Sequence, residues 1–199
     1  MKKKLTRRDW LKAAFRALTR HGPTAVKAET LARALSVSKG SFYWHFKDVA
    51  ALRRAMIDLW LEEGTISVIK ELESLPVPAA ERLRRLVEIS VSERSEPFGG
   101  MKLESAIRDW ARYEPEVRSA AEQTDRKRLA YLESLFRKAG ADEQQSNEKA
   151  ALLYATLIGL QEIAYLTGPG PNAYRSLSVM LNLLLSDIGA RNRAEAPMK

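Results

Sequence analysis

The chain has 199 residues, 45% of them hydrophobic, which is enough to bury a core, and its formal charge is +8. It contains no cysteine and two histidines, His21 and His45, which excludes disulfides, thiolate metal sites and a cysteine nucleophile; no metal or other cofactor is expected. No run approaches the roughly 20 consecutive apolar residues of a membrane span, and the basic opening leads into a charged amphipathic stretch, so a cytoplasmic protein with no membrane partner is expected.

Taken in chain order, nearly every segment has a helical period, and no stretch alternates as a strand does, so the spacing predicts an all-α fold of about nine helices. The first helix spans Thr6 to Arg20, with Trp10, Leu11, Ala14, Phe15 and Leu18 on one side, and stops at His21, Gly22 and Pro23. The second turns Ala28, Leu31, Ala32 and Leu35 inward. After a tight turn at Ser36 and Val37, Ser38 caps a third helix of barely two turns that ends near Phe46. A long fourth helix runs from Asp48 to Glu73, where Pro76 and Pro78 forbid continuation. Further helices cover 80–94, 101–112, 115–138, 147–167 and 171–188, and a disordered tail occupies 190–199.

The charge is concentrated at one end. Residues 1–50 hold 12 of the 33 lysines and arginines but only 3 of the 25 acids, and the remainder of the chain is nearly neutral. A basic module on a neutral body is the footprint of a protein that meets phosphates with one end, although a basic face that merely meets solvent has the same composition. Three short helices with a tight turn between the last two are the smallest architecture that presents a helix to the major groove. On the third helix Phe42 and Phe46 share one side and anchor it. Gly40, Ser41 and Trp44 point the other way, with Tyr43 and His45 flanking. In a groove Gly40 lets the backbone approach, and Ser41 and Trp44 reach base edges or a thymine methyl. Lys39, Tyr43, His45 and Lys47 then donate to phosphates. The Lys2 to Lys4 run is either an arm on the DNA or a solvated terminus.

The segment Ala32 to Leu52, ARALSVSKGSFYWHFKDVAAL, resembles the helix-turn-helix signature of the TetR family of transcriptional regulators. The resemblance implies that Lys39, Gly40, Ser41, Tyr43, Trp44 and His45 face operator DNA. It also implies that a residue around Thr24 to Lys27 touches the backbone, with Ser38 at the helix start. Two positions depart from the pattern. Ser36 stands where a glycine is usual, and Val49 stands where a lysine often opens the fourth helix, so Lys47 takes that lysine's phosphate contact.

Leu153, Tyr154, Leu157, Ile158, Gln161 and Tyr165 on the eighth helix, and Leu177, Leu181, Leu184, Leu185 and Ile188 on the ninth, form broader apolar stripes than one small domain readily covers. The resemblance implies that these helices pair with their twofold mates, making a homodimer through residues 147–188, and that the middle helices enclose a small-molecule effector. Trp60, Met101, Glu104, Arg108, Trp110 and Gln161 are candidates to line that pocket, and each has core or surface as its alternative. The expected division is a DNA-binding domain at 1–47, a sensing and dimerisation domain at 48–189 and a tail at 190–199. The expected function is repression relieved by an effector. The competing readings are a small helical enzyme working through His21 or His45 and a non-specific DNA-binding protein.

Overall fold

A computed structural model describes residues 5–92, 98, 102–167 and 173–194, with side chains of the last segment described for 174–188. Regular structure among the described residues is helical throughout. The helices are α1 Arg7–His21, α2 Ala28–Ala34, α3 Lys39–Tyr43, α4 Val49–Leu61, α5 Ser67–Glu73, α6 Ala79–Ser90, α7 Lys102–Ala111, α8 Pro115–Lys138, α9 Glu143–Thr167 and α10 Ala173–Ala194. With α4 and α5 taken as one interrupted helix, this is the all-α architecture expected from the sequence. The chain gathers into two compact units, Met1–Gly64 with Glu93–Ala121, and Thr65–Ser92 with Glu122–Lys199.

In the first unit, α1 begins with a reciprocal cap: Asp9 N–H donates to Thr6 Oγ1 and Thr6 N–H to Asp9 Oδ2. Gly22, at φ 76°, ends the helix by donating its N–H to Leu18 C=O. The apolar face of α1 is buried as predicted, with Trp10 and Ala14 fully enclosed where α1 packs on α2 and α4, whose Leu31, Leu52 and Met56 are buried as well. The α2–α3 turn depends on Ser36, whose φ of 55° lies in the left-handed region that favours glycine. α7 packs on α1, so a segment from the middle of the chain completes this unit. Phe98 also joins it, edge-on to Phe15 at 5.7 Å with the Arg8 guanidinium at 5.4 Å from its ring.

Three sequence expectations need correction. The long fourth helix is interrupted at Glu62–Ile66 by a π turn around Gly64, and periodicity misses it because the apolar spacing on each side stays helical. The third helix is shorter than predicted, and Ser38 occupies its cap position without a side-chain capping bond. α10 continues to Ala194, so only 195–199 of the expected tail lie outside the described residues. The expectation that no continuous apolar run spans a membrane stands, while α9 passes a looser test of length and mean composition that the core helix of a folded domain also passes.

The second unit is organised around Leu83 and Val87 of α6, Leu135 and Phe136 of α8, Leu153 of α9 and Leu181 of α10. A buried polar network ties its helices together. Tyr154 Oη donates to Asp125 Oδ1 at 2.6 Å and accepts from Arg128 Nη1, whose Nε donates to Thr65 Oγ1 at 2.9 Å. Lys149 Nζ, buried on α9, reaches Asp187 Oδ2 on α10 at 2.5 Å and sets the register of the two helices. Most of the apolar residues singled out as surplus, Leu153, Tyr154, Leu177, Leu181, Leu184 and Ile188, are used inside this unit. The unused apolar surface lies on other faces: Leu152, Ile163 and Leu166 on α9 and Val179 and Leu183 on α10 are exposed.

Candidate nucleic-acid interface

α3 is little more than one turn long and cannot stand alone, so its position is set by what it buries. Phe42 is fully enclosed, meeting Trp10 edge-on at 5.5 Å and stacking on Phe46 at 5.7 Å. The Arg7 guanidinium covers Phe46 at 5.1 Å from the ring centroid. These contacts anchor one side of the helix and turn the other outward. Trp44 is 88% exposed and Tyr43 54% exposed, at the C-terminal end of α3. Lys39, Gly40, Lys47, Ser38, Thr24 and Lys27 are also exposed, and Ser41 is half-buried. A Cβ added at Gly40 would meet only Ser38 Oγ at 3.7 Å, so nothing within the chain requires glycine there.

His45 is less outward than its flanking position suggested. It is half-buried, with its ring 6.2 Å from that of Trp10. Among the described residues no cluster of three or more His, Asp or Glu side chains has the geometry to hold a metal ion. Thr24 lies in a short 3-10 turn, Pro23–Ala25, and Lys27 caps α2 in extended conformation without a side-chain bond.

Glu29 was not singled out in the sequence. Its Oε1 accepts from Lys39 Nζ, tying the first turn of α2 to the first residue of α3. The hydrogen bond from Lys39 holds the Glu29 carboxyl below the usual range, and the same bond raises the Lys39 ammonium. The overlooked signal was that Glu29 is the sole acid between residues 10 and 47.

The structure divides the candidate pocket residues. Trp60, Glu104, Arg108 and Trp110 belong to the first unit and Gln161 to the second, while Met101 lies outside the described residues. Glu104 is buried, accepting from Trp60 Nε1 at 3.2 Å and from Arg108 Nη2 at 3.1 Å. Trp110 is buried beneath Arg53, whose guanidinium is 5.9 Å from the ring. Gln161 is half-buried, and its Oε1 has no hydrogen-bond partner among the described residues.

Residues 11–56 match the family model for bacterial regulatory proteins of the tetR family. The helix-turn-helix domain is a TetR-family domain. The remainder of the chain shares the family's fold. A TetR transcriptional regulator from Legionella pneumophila superposes with a TM-score of 0.74 at 17% identity, covering 94% of this chain and 99% of that one. A TetR-family regulator from Streptomyces coelicolor gives 0.74 at 19% identity, covering 92% and 89%. A protein described as a transcriptional regulator from Saccharomonospora viridis, in complex with choline, gives 0.71 at 21% identity, covering 90% and 95%. No curated protein sequence matches this chain. The TetR segment begins within α1 at Leu11 and ends within α4, so it contains most of α1, the α2–α3 turn, all of α3 and the first turns of the helix that leads out of the module.

Proposed function

We propose that this chain is a homodimeric, sequence-specific DNA-binding regulator, a repressor that leaves its operator when a small-molecule effector binds. The observation that carries the reading is the amphipathic split of α3. Phe42 and Phe46 are buried as anchors, while Trp44 and Tyr43 stand in solvent beside Gly40 within a basic TetR-family module. Large exposed aromatics beside a position without a side chain are poor surface for an isolated domain and good surface for a major groove. Residues 1–47 read and grip DNA. Thr24, Lys27, Lys39, Tyr43, His45 and Lys47 serve phosphates, and Ser38, Gly40, Ser41 and Trp44 face the groove.

Residues 48–189 sense and dimerise. The exposed Leu152, Ile163, Leu166, Val179 and Leu183 support pairing of α9 and α10 with their twofold mates, and that pairing accounts for the apolar surface of α9 without a membrane. A Cβ at Gly159 would meet nothing within 4 Å, so this glycine is free to serve a close approach between copies. The choline complex of the S. viridis protein supports a small-molecule effector. Trp60, Glu104 and Arg108, all within the first unit, are the groups through which it acts, with release following a tilt of α4. The protein works in the cytoplasm.

The test is an anisotropy titration, at fixed physiological salt, of the DNA upstream of its own gene against scrambled DNA. Discrimination of ~10³-fold or more is the expected result. Equal binding to both reduces the protein to a non-specific DNA binder, and no binding to either overturns the reading.

A further inference from the structure

Glu29 is an anion placed where a DNA-reading module should have none. It is the only acid between residues 10 and 47, it is exposed, and Lys39 donates to it from the first position of α3. The charge of Lys27 acts on it as well, so one carboxylate lies within reach of two of the lysines assigned to phosphates. Among the described residues, the start of α3 has no other acidic side-chain partner for its lysine. Ser38 makes no side-chain cap, no acid lies in the helix's first turn, and a lysine at a helix N-terminus opposes the helix dipole. The aromatic anchors, Phe42 and Phe46, grip the other end of this five-residue helix.

We infer that Glu29 is a positioning residue for DNA discrimination: it fixes the Lys39 ammonium in one place and removes one unit of general attraction for phosphates. An ammonium has three N–H donors, so Lys39 can keep Glu29 and still donate to a phosphate that arrives along the remaining direction. A phosphate elsewhere must break the pair or meet the carboxylate. The consequence is weaker binding to arbitrary DNA than the number of lysines predicts, with less loss at a site whose phosphates fall in register. This inference rests on the DNA-binding reading above.

The test uses the full-length protein and a random 30-base-pair duplex, titrated between 0.1 and 0.3 M salt, with wild type, Glu29→Gln, Lys39→Met and the double variant. Freeing one lysine for one more phosphate contact steepens the slope of log K against log salt by about 0.9. That corresponds to a gain of about eightfold at 0.1 M and about fourfold at 0.2 M. We expect Glu29→Gln to show this gain and to discriminate less between the duplex and the DNA upstream of its own gene. In the Lys39→Met background the gain should shrink below about twofold. Because the pair is exposed, the urea midpoint of Glu29→Gln should match wild type. Unchanged binding of Glu29→Gln to the random duplex overturns the role of Glu29 while leaving the regulator reading intact. An equal gain with and without Lys39 overturns the positioning argument and leaves only bulk charge. Failure of wild type to bind any duplex overturns the regulator reading and this inference with it.

Discussion

Ser36 offers a direct test of how the α2–α3 turn sets the recognition helix. Its φ of 55° is the one positive value at a non-glycine residue among the described residues, and the turn is tied by Ser36 N–H to Arg33 C=O at 3.1 Å and Val37 N–H to Ala32 C=O at 3.0 Å. An L-residue held there carries about 1–2 kcal/mol of strain that glycine lacks. The greater freedom of glycine in the unfolded chain takes back about 0.4–1 kcal/mol. Ser36→Gly should therefore leave the protein about 0.5 kcal/mol more stable. Ser36→Val should be destabilised by about 2 kcal/mol, because a β-branched side chain tolerates the left-handed region least. Urea unfolding followed by tryptophan fluorescence suits this question, since Trp10, Trp44, Trp60 and Trp110 all belong to the first unit. With a slope of about 2 kcal/mol per molar urea, the valine and glycine midpoints should lie about 1.2 M apart, with serine between them. If valine unfolds with or above serine, the turn does not hold the left-handed conformation and the argument fails.

Other predictions follow from single residues. Gly40→Ala should raise stability by about 0.5–1 kcal/mol in the same assay, because a Cβ there meets only Ser38 Oγ, and yet weaken DNA binding if the backbone must approach the groove. A parallel gain in both, measured by urea midpoint and anisotropy, would show that Gly40 is not a contact. Leu183→Glu places a charge on an exposed apolar face of α10 without disturbing the internal core, so if α9 and α10 pair with a second copy as proposed, light scattering should report a dimer for wild type and a monomer for the variant at the same concentration. Burial, reinforced by the hydrogen bond to Glu73, pushes the Tyr131 hydroxyl well above the ordinary tyrosine range. Because the unfolded chain gives up that proton first, the contribution of Tyr131 to stability is full below about pH 10 and falls as pH rises beyond it. Tyr131→Phe should remove that part of the alkaline loss, as read from urea midpoints at pH 9 and 11.

Much of the first unit was legible in the sequence because short-range patterns determine it. The apolar face of α1 and the Phe42 and Phe46 anchors are spaced within one or two turns, whereas the periodicity starts the helix at Thr6 itself and passes over the equally local cap that Thr6 forms with Asp9. Features that depend on pairing across the sequence were not legible. Glu29 and Lys39 are ten residues apart on different helices, and neither helix's own period brings them together. The π turn at Glu62–Ile66 leaves apolar spacing intact on either side. The apolar stripes of the last two helices were visible, but which stripe the unit keeps for itself depends on how α6 and α8 pack against them. The same limit applies to the sensing residues. Glu104 is buried by its bonds to Trp60 and Arg108, and no local pattern distinguishes such a pair from a ligand site.

The central claim, that α3 reads base sequence through its exposed aromatic end, is tested most directly by Trp44→Ala. The residue is 88% exposed, so the variant should fold as wild type does. In a titration of the DNA upstream of its own gene against scrambled DNA at fixed salt, the account predicts that wild type discriminates and that Trp44→Ala loses most of that margin while keeping its affinity for scrambled DNA. A variant that discriminates as well as wild type would contradict it.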